Sequence, residues 1–381
     1  MSTNPQARSW IQVRADALRQ NFSHLRDAVG PDTRIIPMVK ADAYGLGVKQ
    51  TVRVLRKEGP WGWGVATVDE GLELREMGVE DPVIVFCPLT GDSLDHAIGG
   101  NLQLTVSSLV GLDEVMKRAR QLGGKPCIHV DINTGMGRTG FDWRVAPSWL
   151  PRLEEVASEN LDWVGFFTHL HSADENEVSV HDQWSRLQEV LVQLENPPDG
   201  LMVHILNSSG SFRTPEYAEA AVRPGLFLYG GEVGVDQPSP VPLVSLHARV
   251  IHVGDASEGY TLGYGATYRA DGPECWATLA IGYGDGLPRS LGNCGSALIG
   301  GVRVPIIGRI SMDMTVVNIT DVPRVAVGDI ATLIGTNGRE KITLEDVAEL
   351  AGTISYELLT GFTNRLPRVW TGLRKKDDSE S

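Results

Sequence analysis

The chain has 381 residues, of which 42% are hydrophobic and 22% are charged, and its formal net charge is −14 at pH 7. This length predicts two domains, and the composition is typical of globular and not of disordered proteins. The acidic balance argues against nucleic acid as a partner, because nucleic-acid-binding proteins present basic surface.

The N-terminal stretch MSTNPQARSWIQVRADALRQ lacks the apolar segment of a signal peptide. No apolar run reaches the ~18 residues that would span a bilayer, so no membrane partner is expected. The four cysteines lie far apart, form no CxxC pair and suggest neither a metal site nor a disulfide framework. A cytoplasmic location is therefore expected.

From residue 34 to residue 230, apolar β-rich runs alternate with amphipathic helical patterns. The runs are RIIPMVK, WGVATV, DPVIVFC, LQLTVSS, CIHVDIN, LDWVGFFTHL, LMVHILN and VRPGLFLYG. Helical patterns between them include KQTVRVLRKEG, VDEGLELREMG, LDEVMKRARQLG and HDQWSRLQEVLVQLE. This alternation predicts a parallel sheet covered by helices. Eight such units over roughly 230 residues favour a closed (β/α)8 barrel of the TIM type, with an open doubly wound sheet as the alternative.

The pattern changes near Pro238, in the turn-rich stretch DQPSPVP. Strand-like runs separated by glycines and aspartates follow it, with one helical pattern, TLEDVAELAG. We therefore predict an α/β barrel over residues 8–240, a mainly β domain over residues 241–372 and a flexible tail over residues 373–381.

Lys40 ends the first apolar run and is followed by the glycine-broken segment ADAYGLG. In a TIM-type barrel the C-terminal strand ends face the active site. A partly desolvated amine there has its charged form disfavoured and becomes a nucleophile, typically for an imine with a carbonyl or with pyridoxal phosphate (PLP). A lone lysine at a strand end more often only extends its ammonium group to the solvent. A catalytic role for Lys40 therefore depends on which groups lie near it.

Several polar groups follow other predicted strands. A glycine-rich loop after CIHVDIN carries Arg138, and LMVHIL is followed by NSSG. The strand VGFFT precedes His169, and the last unit begins with Arg223. Together they place an amine, two guanidiniums, an imidazole and a phosphate-sized group of amides around one barrel mouth.

These residues belong to motifs that resemble bacterial alanine racemases. The motifs occur in the family's order, from about residue 8 to about residue 372, and are VKADAYGLG, NTGMGRTGF, THLHSAD, NSSG, RPGLFLYG, GYGATY, IGYGDGLPR and IGRISMDM. The resemblance implies PLP as cofactor, the interconversion of L-alanine and D-alanine, and a homodimer with shared sites. Supply of D-alanine for peptidoglycan is the expected role, with alanine catabolism as the alternative.

The resemblance also implies a role for individual residues. Lys40 matches the lysine that binds PLP and acts as one catalytic base, and Tyr264 matches the opposing base, contributed by the partner subunit. Arg223 matches the arginine at the pyridine nitrogen, and His169 the histidine linked to it. The positions that match phosphate-holding residues are Tyr44, Ser208, Gly225, Leu226 and Tyr356.

Substrate recognition follows in the same way. Arg138 matches the arginine that reaches the cofactor's phenolic oxygen and the substrate carboxylate, and Met312 matches the residue whose amide contacts that carboxylate. The residues that match the corridor to the site are Asp174, Tyr283, Arg289 and Arg309.

The residue types suit the chemistry. Inversion at Cα requires a base on each face, and a lysine opposite a tyrosine is a sufficient pair. Both groups have ordinary pKa values near ~10, so we expect the site to lower the pKa of each. Because a guanidinium cannot accept a proton, Arg223 should leave the pyridine nitrogen unprotonated and thereby limit transamination.

Four positions depart from the family pattern. Asp131 stands where many members have a carbamylated lysine that orients the arginine equivalent to Arg138, so we expect Asp131 to supply the negative charge directly. Asn133 replaces an aspartate, and Leu46 a histidine. His171 replaces a small residue, and a polar group there is compatible with a substrate range that includes serine.

Two other functions are compatible with parts of the sequence. PLP-dependent amino-acid decarboxylases also pair a barrel with a β domain, but they place a carboxylate at the pyridine nitrogen, where this chain has Arg223. Non-catalytic PLP-binding proteins use a barrel alone, which leaves the β domain without a purpose.

Overall fold

The structure, a computed structural model, describes residues 7–374, apart from the side chains of residues 157–160. The predicted tail therefore lies outside the described residues from residue 375 onward. The strands are β1 (Ser9–Arg14), β2 (Arg34–Ile35), β3 (Trp63–Val65), β4 (Val83–Val85), β5 (Gln103–Val106), β6 (Cys127–Asn133), β7 (Phe141–Asp142), β8 (Asp162–Phe167), β9 (Met202–His204), β10 (Ala221–Val222), β11 (Val244–Ala256), β12 (Thr261–Leu262), β13 (Tyr268–Arg269), β14 (Glu274–Leu279), β15 (Ser296–Ile299), β16 (Val302–Pro305), β17 (Thr315–Asn318), β18 (Ile330–Asn337), β19 (Glu340–Ile342) and β20 (Arg368–Thr371).

The helices alternate with the first ten strands and return only near the C-terminus. They are α1 (Ala15–Val29), α2 (Lys40–Gly45), α3 (Val48–Leu55), α4 (Val68–Glu76), α5 (Asp92–Gly99), α6 (Leu109–Leu122), α7 (Leu150–Asn160), α8 (Glu177–Leu191), α9 (Ser208–Arg213), α10 (Leu344–Ala351) and α11 (Ser355–Gly361). Among the described residues, none of these helices has the length and apolarity needed to cross a membrane.

The first sheet within the described part of the chain has eight parallel strands in the order β2-β10-β9-β8-β6-β5-β4-β3, and a ninth, β7, pairs with β6. The two ends of this order meet through a parallel bridge between Met38 and Gly64. There the amide of Gly64 donates to the carbonyl of Pro37 at 2.9 Å, and the amide of Val39 donates to the carbonyl of Gly64 at 2.8 Å. The sheet is thereby closed, which confirms the predicted TIM-type barrel and excludes the open sheet.

Each of the eight predicted runs contains a barrel strand, although the last run is mostly not extended. Strand β10 ends at Val222, and Leu226–Tyr229 forms a 3₁₀ turn. Pro224 has no N–H to donate to a sheet ladder, so the strand ends before it. The 3₁₀ turn brings backbone amides to the barrel mouth, where an extended strand would have carried them away.

The second sheet has the order β16-β15-β18-β11-β1-β20, and β14 pairs with both β11 and β17. The long strand β11 joins the two parts of this sheet. Strands β1 and β18 pair with its first half, and β14 pairs with its second half, where the register shifts between Val250 and His252. Strand β1 lies in this sheet, paired with β11 and β20, although the sequence placed Ser9–Arg14 within the barrel range. Its alternating pattern of buried residues could not reveal which sheet it joins.

The prediction of a single helix in the β domain is wrong, because α11 follows α10 after a short turn. Helix α11 is short, and its N-cap residue, Ile354, makes no side-chain capping bond. The usual start signal of a helix is therefore missing. Packing decides its conformation, since α11 lies so close to α2 that a Cβ on Gly45 would be 2.5 Å from the carbonyl oxygen of Leu359.

Helix α2 is a left-handed turn. Ala41, Asp42, Ala43 and Tyr44 have φ values of 53°, 53°, 51° and 57°. A left-handed conformation costs about 1–2 kcal/mol for each residue with a Cβ. Tertiary contacts must offset this cost, among them a bond from the amide of Val48 to Asp42 Oδ1 at 2.7 Å.

Candidate active site

Lys40 begins the left-handed turn directly after the segment that closes the barrel. Its side chain is half-buried, and burial lowers the pKa of the amine, assisted by the positive charge of Arg138. The predicted downward tuning of this amine is confirmed. A strand-end amine of this kind has more of its nucleophilic free base at neutral pH than an exposed lysine has.

Every residue predicted to hold the cofactor lines one cavity at the barrel mouth. The cavity has a volume of about 140 Å³. Its predicted lining residues are Lys40, Tyr44, Arg138, His169, Ser208, Arg223, Gly225, Leu226 and Tyr356. Barrel loops supply most of them, and α11 of the β domain supplies Tyr356.

One part of the cavity wall is suited to bind an anion. Ser208 Oγ accepts hydrogen bonds from the amides of Gly225 at 2.8 Å and Phe227 at 3.4 Å. The amide of Leu226, between them, has no protein acceptor among the described residues. A Cβ at Gly225 would lie 2.2 Å from Tyr44 Oη, so only glycine lets the backbone and this hydroxyl approach. The free amide of Leu226 and the hydroxyls of Ser208 and Tyr44 are donors that fit the phosphate of PLP.

Arg223 also lines the cavity and is 4% exposed. Its Nη1 donates to the carbonyl of His204 at 2.6 Å, and its Nη2 donates to the carbonyl of Thr168 at 2.7 Å. Its guanidinium lies over the rings of Phe86 and Phe167. Nε makes no hydrogen bond to the described residues and is the donor available to a pyridine nitrogen.

A chain of buried hydrogen bonds runs from Arg223 into the barrel interior. Since the guanidinium only donates, Nδ1 of His204 accepts from Arg223 Nη1 at 2.8 Å, and the imidazole proton is on Nε2. His204 Nε2 then donates to His129 Nδ1 at 3.0 Å, and His129 Nε2 donates to Gln103 Oε1 at 2.7 Å. Gly165 leaves room for the ring of His129, because a Cβ there would lie 1.8 Å from Nδ1.

Burial and the charge of Arg223 keep the nearby imidazoles neutral. They lower the pKa of His129 to about 3 and that of His204 well below its ordinary value. The same causes lower the pKa of His169 to about 3. The three imidazoles near Arg223 therefore carry no positive charge at neutral pH.

Residues 13–233 match the family model described as alanine racemase, N-terminal domain, and residues 243–370 match alanine racemase, C-terminal domain. An alanine racemase of Methylacidiphilum infernorum is 33% identical over 368 residues, which is 95% of this chain and 92% of that protein. The chain belongs to the alanine racemase family.

Solved structures of alanine racemases agree with this assignment. The enzyme of a D-cycloserine-producing Streptomyces lavendulae superposes with a TM-score of 0.91 at 29% identity, covering 98% of this chain and 99% of that chain. The enzyme of Bartonella henselae, with covalently bound pyridoxal phosphate, gives a TM-score of 0.88 at 26% identity and covers 96% of this chain and 100% of that chain. The predictions of the family, of a PLP-dependent isomerase and of PLP as the cofactor are confirmed.

Two predicted residues of the racemase lie outside the cavity of their own chain. Tyr264, in a 3₁₀ turn of the β domain, is 71% exposed, and Met312 is 52% exposed. The carbonyl of Met312 accepts the amide of Gly284 at 2.8 Å, next to Tyr283. The β domain therefore exposes Tyr264, which is one of the two expected bases, to the solvent.

The corridor residues also lie outside this cavity. Arg309 packs beneath the turn of Tyr264, since a Cβ at Gly265 would lie 2.9 Å from its Nη1. Asp174 is exposed near Tyr356, where its charge helps to raise the pKa of the phenol to about 12, after the larger effect of burial. His171 is exposed and its Nδ1 pairs with Ser172 Oγ at 2.8 Å, so it does not line the cavity.

Asp131 lies in the cavity wall but contacts Arg138 less directly than the sequence suggested. Its Oδ2 accepts from Thr139 Oγ1 at 2.7 Å and from Ser107 Oγ at 3.3 Å. No hydrogen bond to Arg138 is found within the described residues. Burial raises the pKa of this carboxyl, opposed by the two hydroxyl donors and the neighbouring guanidiniums.

The sequence did not identify several residues of the site. The cavity is also lined by Met38, Phe86, Ile132, Met136, Thr139, Phe167 and Asn207. The aromatic pair was hidden because a phenylalanine at a strand end is usually read as core. Only an alternation of polar residues within the strand CIHVDIN could have pointed to the buried His129.

Proposed function

We propose that the chain interconverts L-alanine and D-alanine with Lys40 and the partner subunit's Tyr264 as the two bases. The observation that carries the proposal is the cavity itself. It joins an amine of lowered pKa, the guanidinium of Arg223 and an anion site formed by the free amide of Leu226 beside the hydroxyls of Ser208 and Tyr44. When bound, PLP supplies a conjugated ring that delocalises the electron pair left at Cα after proton removal.

The protein's own groups have distinct tasks in this mechanism. Lys40 Nζ holds the cofactor and moves the Cα proton on one face of the substrate. Tyr264 Oη moves the proton on the opposite face, and one base on each face is what inversion requires. Arg138 and the amide of Met312 orient the substrate carboxylate, so that the Cα–H bond points at one of the two bases.

Arg223 sets the reaction type. Its guanidinium has no lone pair to accept the pyridine proton, and its Nη atoms are already held by backbone carbonyls and His204. With PLP bound, its Nε would be the donor to the pyridine nitrogen, which would stay unprotonated. A weaker electron sink favours rapid return of the proton over transamination, and it separates this chain from decarboxylases that place a carboxylate there.

The position of Tyr264 supports a shared active site. With the domain boundary that we propose near residue 240, Lys40 belongs to the barrel and Tyr264 to the β domain. Tyr264 is largely exposed and does not line the cavity that holds Lys40. A two-fold homodimer allows each subunit to place its tyrosine in the cavity of the other.

We further propose that the enzyme acts in the cytoplasm and supplies D-alanine for peptidoglycan. All four cysteines are free thiols, which suits a reducing compartment.

The deciding experiment is incubation of the purified holoenzyme with L-alanine followed by chiral chromatography. A racemase gives D-alanine and approaches equal amounts of both enantiomers. Ethylamine as the product would instead identify a decarboxylase, and unchanged L-alanine would identify a non-catalytic PLP-binding protein.

A further inference from the structure

Glu70 lies in the first turn of α4 and is neither a predicted site residue nor part of the cavity lining. Its carboxylate Oε2 accepts from the amides of Ala66 at 2.8 Å and Thr67 at 3.2 Å. The amide of Glu70 donates in return to Thr67 Oγ1 at 3.3 Å. This reciprocal pair is a capping box, which needs one carboxylate oxygen.

The second oxygen of the same carboxylate leaves the helix. Glu70 Oε1 accepts a hydrogen bond of 2.7 Å from the amide of Ala41. That amide belongs to the peptide bond that joins Lys40 to Ala41, where the left-handed turn begins. Glu70 thus connects the N-terminus of a rigid barrel helix to the backbone of the catalytic lysine.

Other contacts hold the later part of the turn. The amide of Val48 donates to Asp42 Oδ1 at 2.7 Å, and Arg368 Nε donates to the carbonyl of Gly45 at 2.8 Å. Neither contact reaches the peptide at which the backbone changes from the strand to the left-handed conformation. The bond from Ala41 to Glu70 is made at that peptide.

We propose that Glu70 is a positioning residue for Lys40, because one of its carboxylate oxygens caps α4 while the other fixes the Lys40–Ala41 peptide. The inference rests on the proposed role of Lys40. It gives Glu70 a task beyond helix capping, since the direction of the Lys40 side chain depends on the orientation of this peptide.

The carboxylate also acts through its charge. Burial lowers the pKa of Lys40 most, and Arg138 and Arg223 lower it further. Glu70 opposes them from α4, as does Cys87 after β4. Beyond these groups, the imidazole of His169 also faces Lys40 and is kept neutral, with a pKa of about 3. Loss of the Glu70 charge should therefore lower the pKa of Lys40 further.

The test uses two variants of Glu70 and two matched controls in the full-length chain. Glu70→Gln keeps a residue that capping boxes accept but removes the charge and one acceptor oxygen. Glu70→Ala removes both functions. Thr67→Ala weakens only the helix cap, and Glu73→Gln removes a neighbouring exposed carboxylate from the same helix.

The first readout needs no racemase activity. Lys40 in the full-length chain freed of PLP is acetylated with trace acetic anhydride between pH 6 and 11, and the Lys40 peptide is quantified against the exposed Lys49 by mass spectrometry. We expect the half-labelling pH of Lys40 to fall in both Glu70 variants and to stay unchanged in Thr67→Ala and Glu73→Gln.

The second readout is the kinetics of the holoenzyme with L-alanine. We expect kcat to fall on the order of 10- to 100-fold in Glu70→Gln, since a small displacement of a catalytic group has this effect, while KM changes little. If Glu70→Ala does not fold, Glu70→Gln carries the test.

Wild-type labelling and wild-type kcat in Glu70→Gln would overturn the inference and leave Glu70 as a helix cap. A wild-type enzyme without racemase activity would instead refute the proposed function, and the labelling midpoint of Lys40 would still decide whether Glu70 acts on it.

Discussion

At Lys40, two requirements conflict and the surrounding residues reconcile them. The amine must be buried enough to lose its proton at neutral pH, and it must remain basic enough to receive one from Cα. Burial and two guanidiniums lower its pKa, whereas a carboxylate and a thiol raise it. The pKa of Lys40 is therefore set by groups from three barrel loops and from helix α4, none of them adjacent to Lys40 in sequence.

The covalent role of Lys40 can be tested directly. We expect the purified protein to be yellow, and sodium borohydride to fix the cofactor on the peptide that contains Lys40, because a reduced imine is stable to digestion. Lys40→Ala should abolish this adduct, as seen by mass spectrometry. Lys49→Ala, which changes an exposed lysine nearby, should retain it, and a label on any other lysine would refute the assignment.

A second prediction concerns Asp131. Asp131→Ala should raise KM for L-alanine by about 10- to 100-fold, which corresponds to about 1.5–3 kcal/mol for the loss of a charge-assisted hydrogen bond beside Arg138. Bicarbonate should not change the steady-state kinetics of the wild-type enzyme, because position 131 has no lysine to carbamylate. An unchanged KM in Asp131→Ala would contradict the prediction.

Two further variants separate the possible routes from Asp131 to Arg138. If the carboxylate acts through its 2.7 Å bond to Thr139, then Thr139→Val should raise KM as Asp131→Ala does. If it acts through its charge alone, Thr139→Val should have little effect. Asp142→Ala, which removes a carboxylate from the adjacent strand β7, serves as the control for a general loss of negative charge.

At the scale of elements, the barrel strands carry a polar interior where a packed apolar core is usual. Strands β5, β6 and β9 contribute Gln103, His129 and His204, which continue the hydrogen bonds of Arg223. The two histidines are fully buried, and each nitrogen has a defined role as donor or acceptor. This row of hydrogen bonds holds Arg223 in place, but its buried neutral histidines make the fold sensitive to acid.

The acid sensitivity has a predictable sign. In the unfolded chain a histidine takes up a proton as the pH falls below about 6.5, whereas His129 stays neutral in the fold until about pH 3. Because the unfolded state binds more protons, the free energy of unfolding should fall between about pH 6.5 and pH 3. The slope should reach about 2.7 kcal/mol per pH unit for His129 and His204 together.

Urea unfolding at fixed protein concentration between pH 7.5 and pH 5 measures this slope. His204→Gln should reduce it by about 1.4 kcal/mol per pH unit, the share of one proton. His24→Gln, which changes an exposed histidine of α1, should leave the slope unaltered. A free energy of unfolding that does not change from pH 6.5 to pH 5 would refute the neutral buried pair.

At the scale of the whole molecule, the two catalytic bases lie on different domains and, in our proposal, on different subunits. Tyr264, Tyr283 and Met312 are all more than 40% exposed, so the β domain presents a face that is partly apolar. Such a face is expected at a contact with a partner. Helix α11 adds Tyr356 to the cavity within the same chain, so the β domain serves its own barrel as well.

A mixed dimer tests the shared site. Lys40→Ala and Tyr264→Phe should each be nearly inactive alone. Random one-to-one reassembly makes half the dimers mixed, and each mixed dimer has one complete site, so activity should recover to about a quarter of the wild-type value. Co-expression with two different tags and double purification isolates the mixed dimer. Without the two inactive homodimers it should have about half of the wild-type activity in a racemisation assay.

Lack of recovery in a confirmed mixed dimer would reject the shared site, because bases that meet within one chain leave every site without one of them. Tyr260→Phe is the control for the tyrosine variant. Tyr260 is another exposed tyrosine of the β domain, and a homodimer of its variant should remain active without a complementing Lys40→Ala or Tyr264→Phe chain.

The sequence by itself determined the alternation of strands and helices, and with it the barrel, because apolar periodicity is a local property of the chain. It also placed Lys40, Arg138, His169, Ser208 and Arg223 at strand ends. In a parallel barrel all such ends meet at one mouth, so their joint position in the cavity followed from topology alone.

Tertiary structure decided what depends on contacts between distant segments. Strand β1 joins the second sheet because β11 and β20 offer it partners, and α11 is helical because it packs on the turn that follows Lys40. The left-handed turn itself, the bond from Ala41 to Glu70 and the chain from Arg223 to Gln103 have no periodic signal. The hydrogen bonds join residues that are far apart in sequence, so only the folded arrangement brings their atoms within hydrogen-bonding distance.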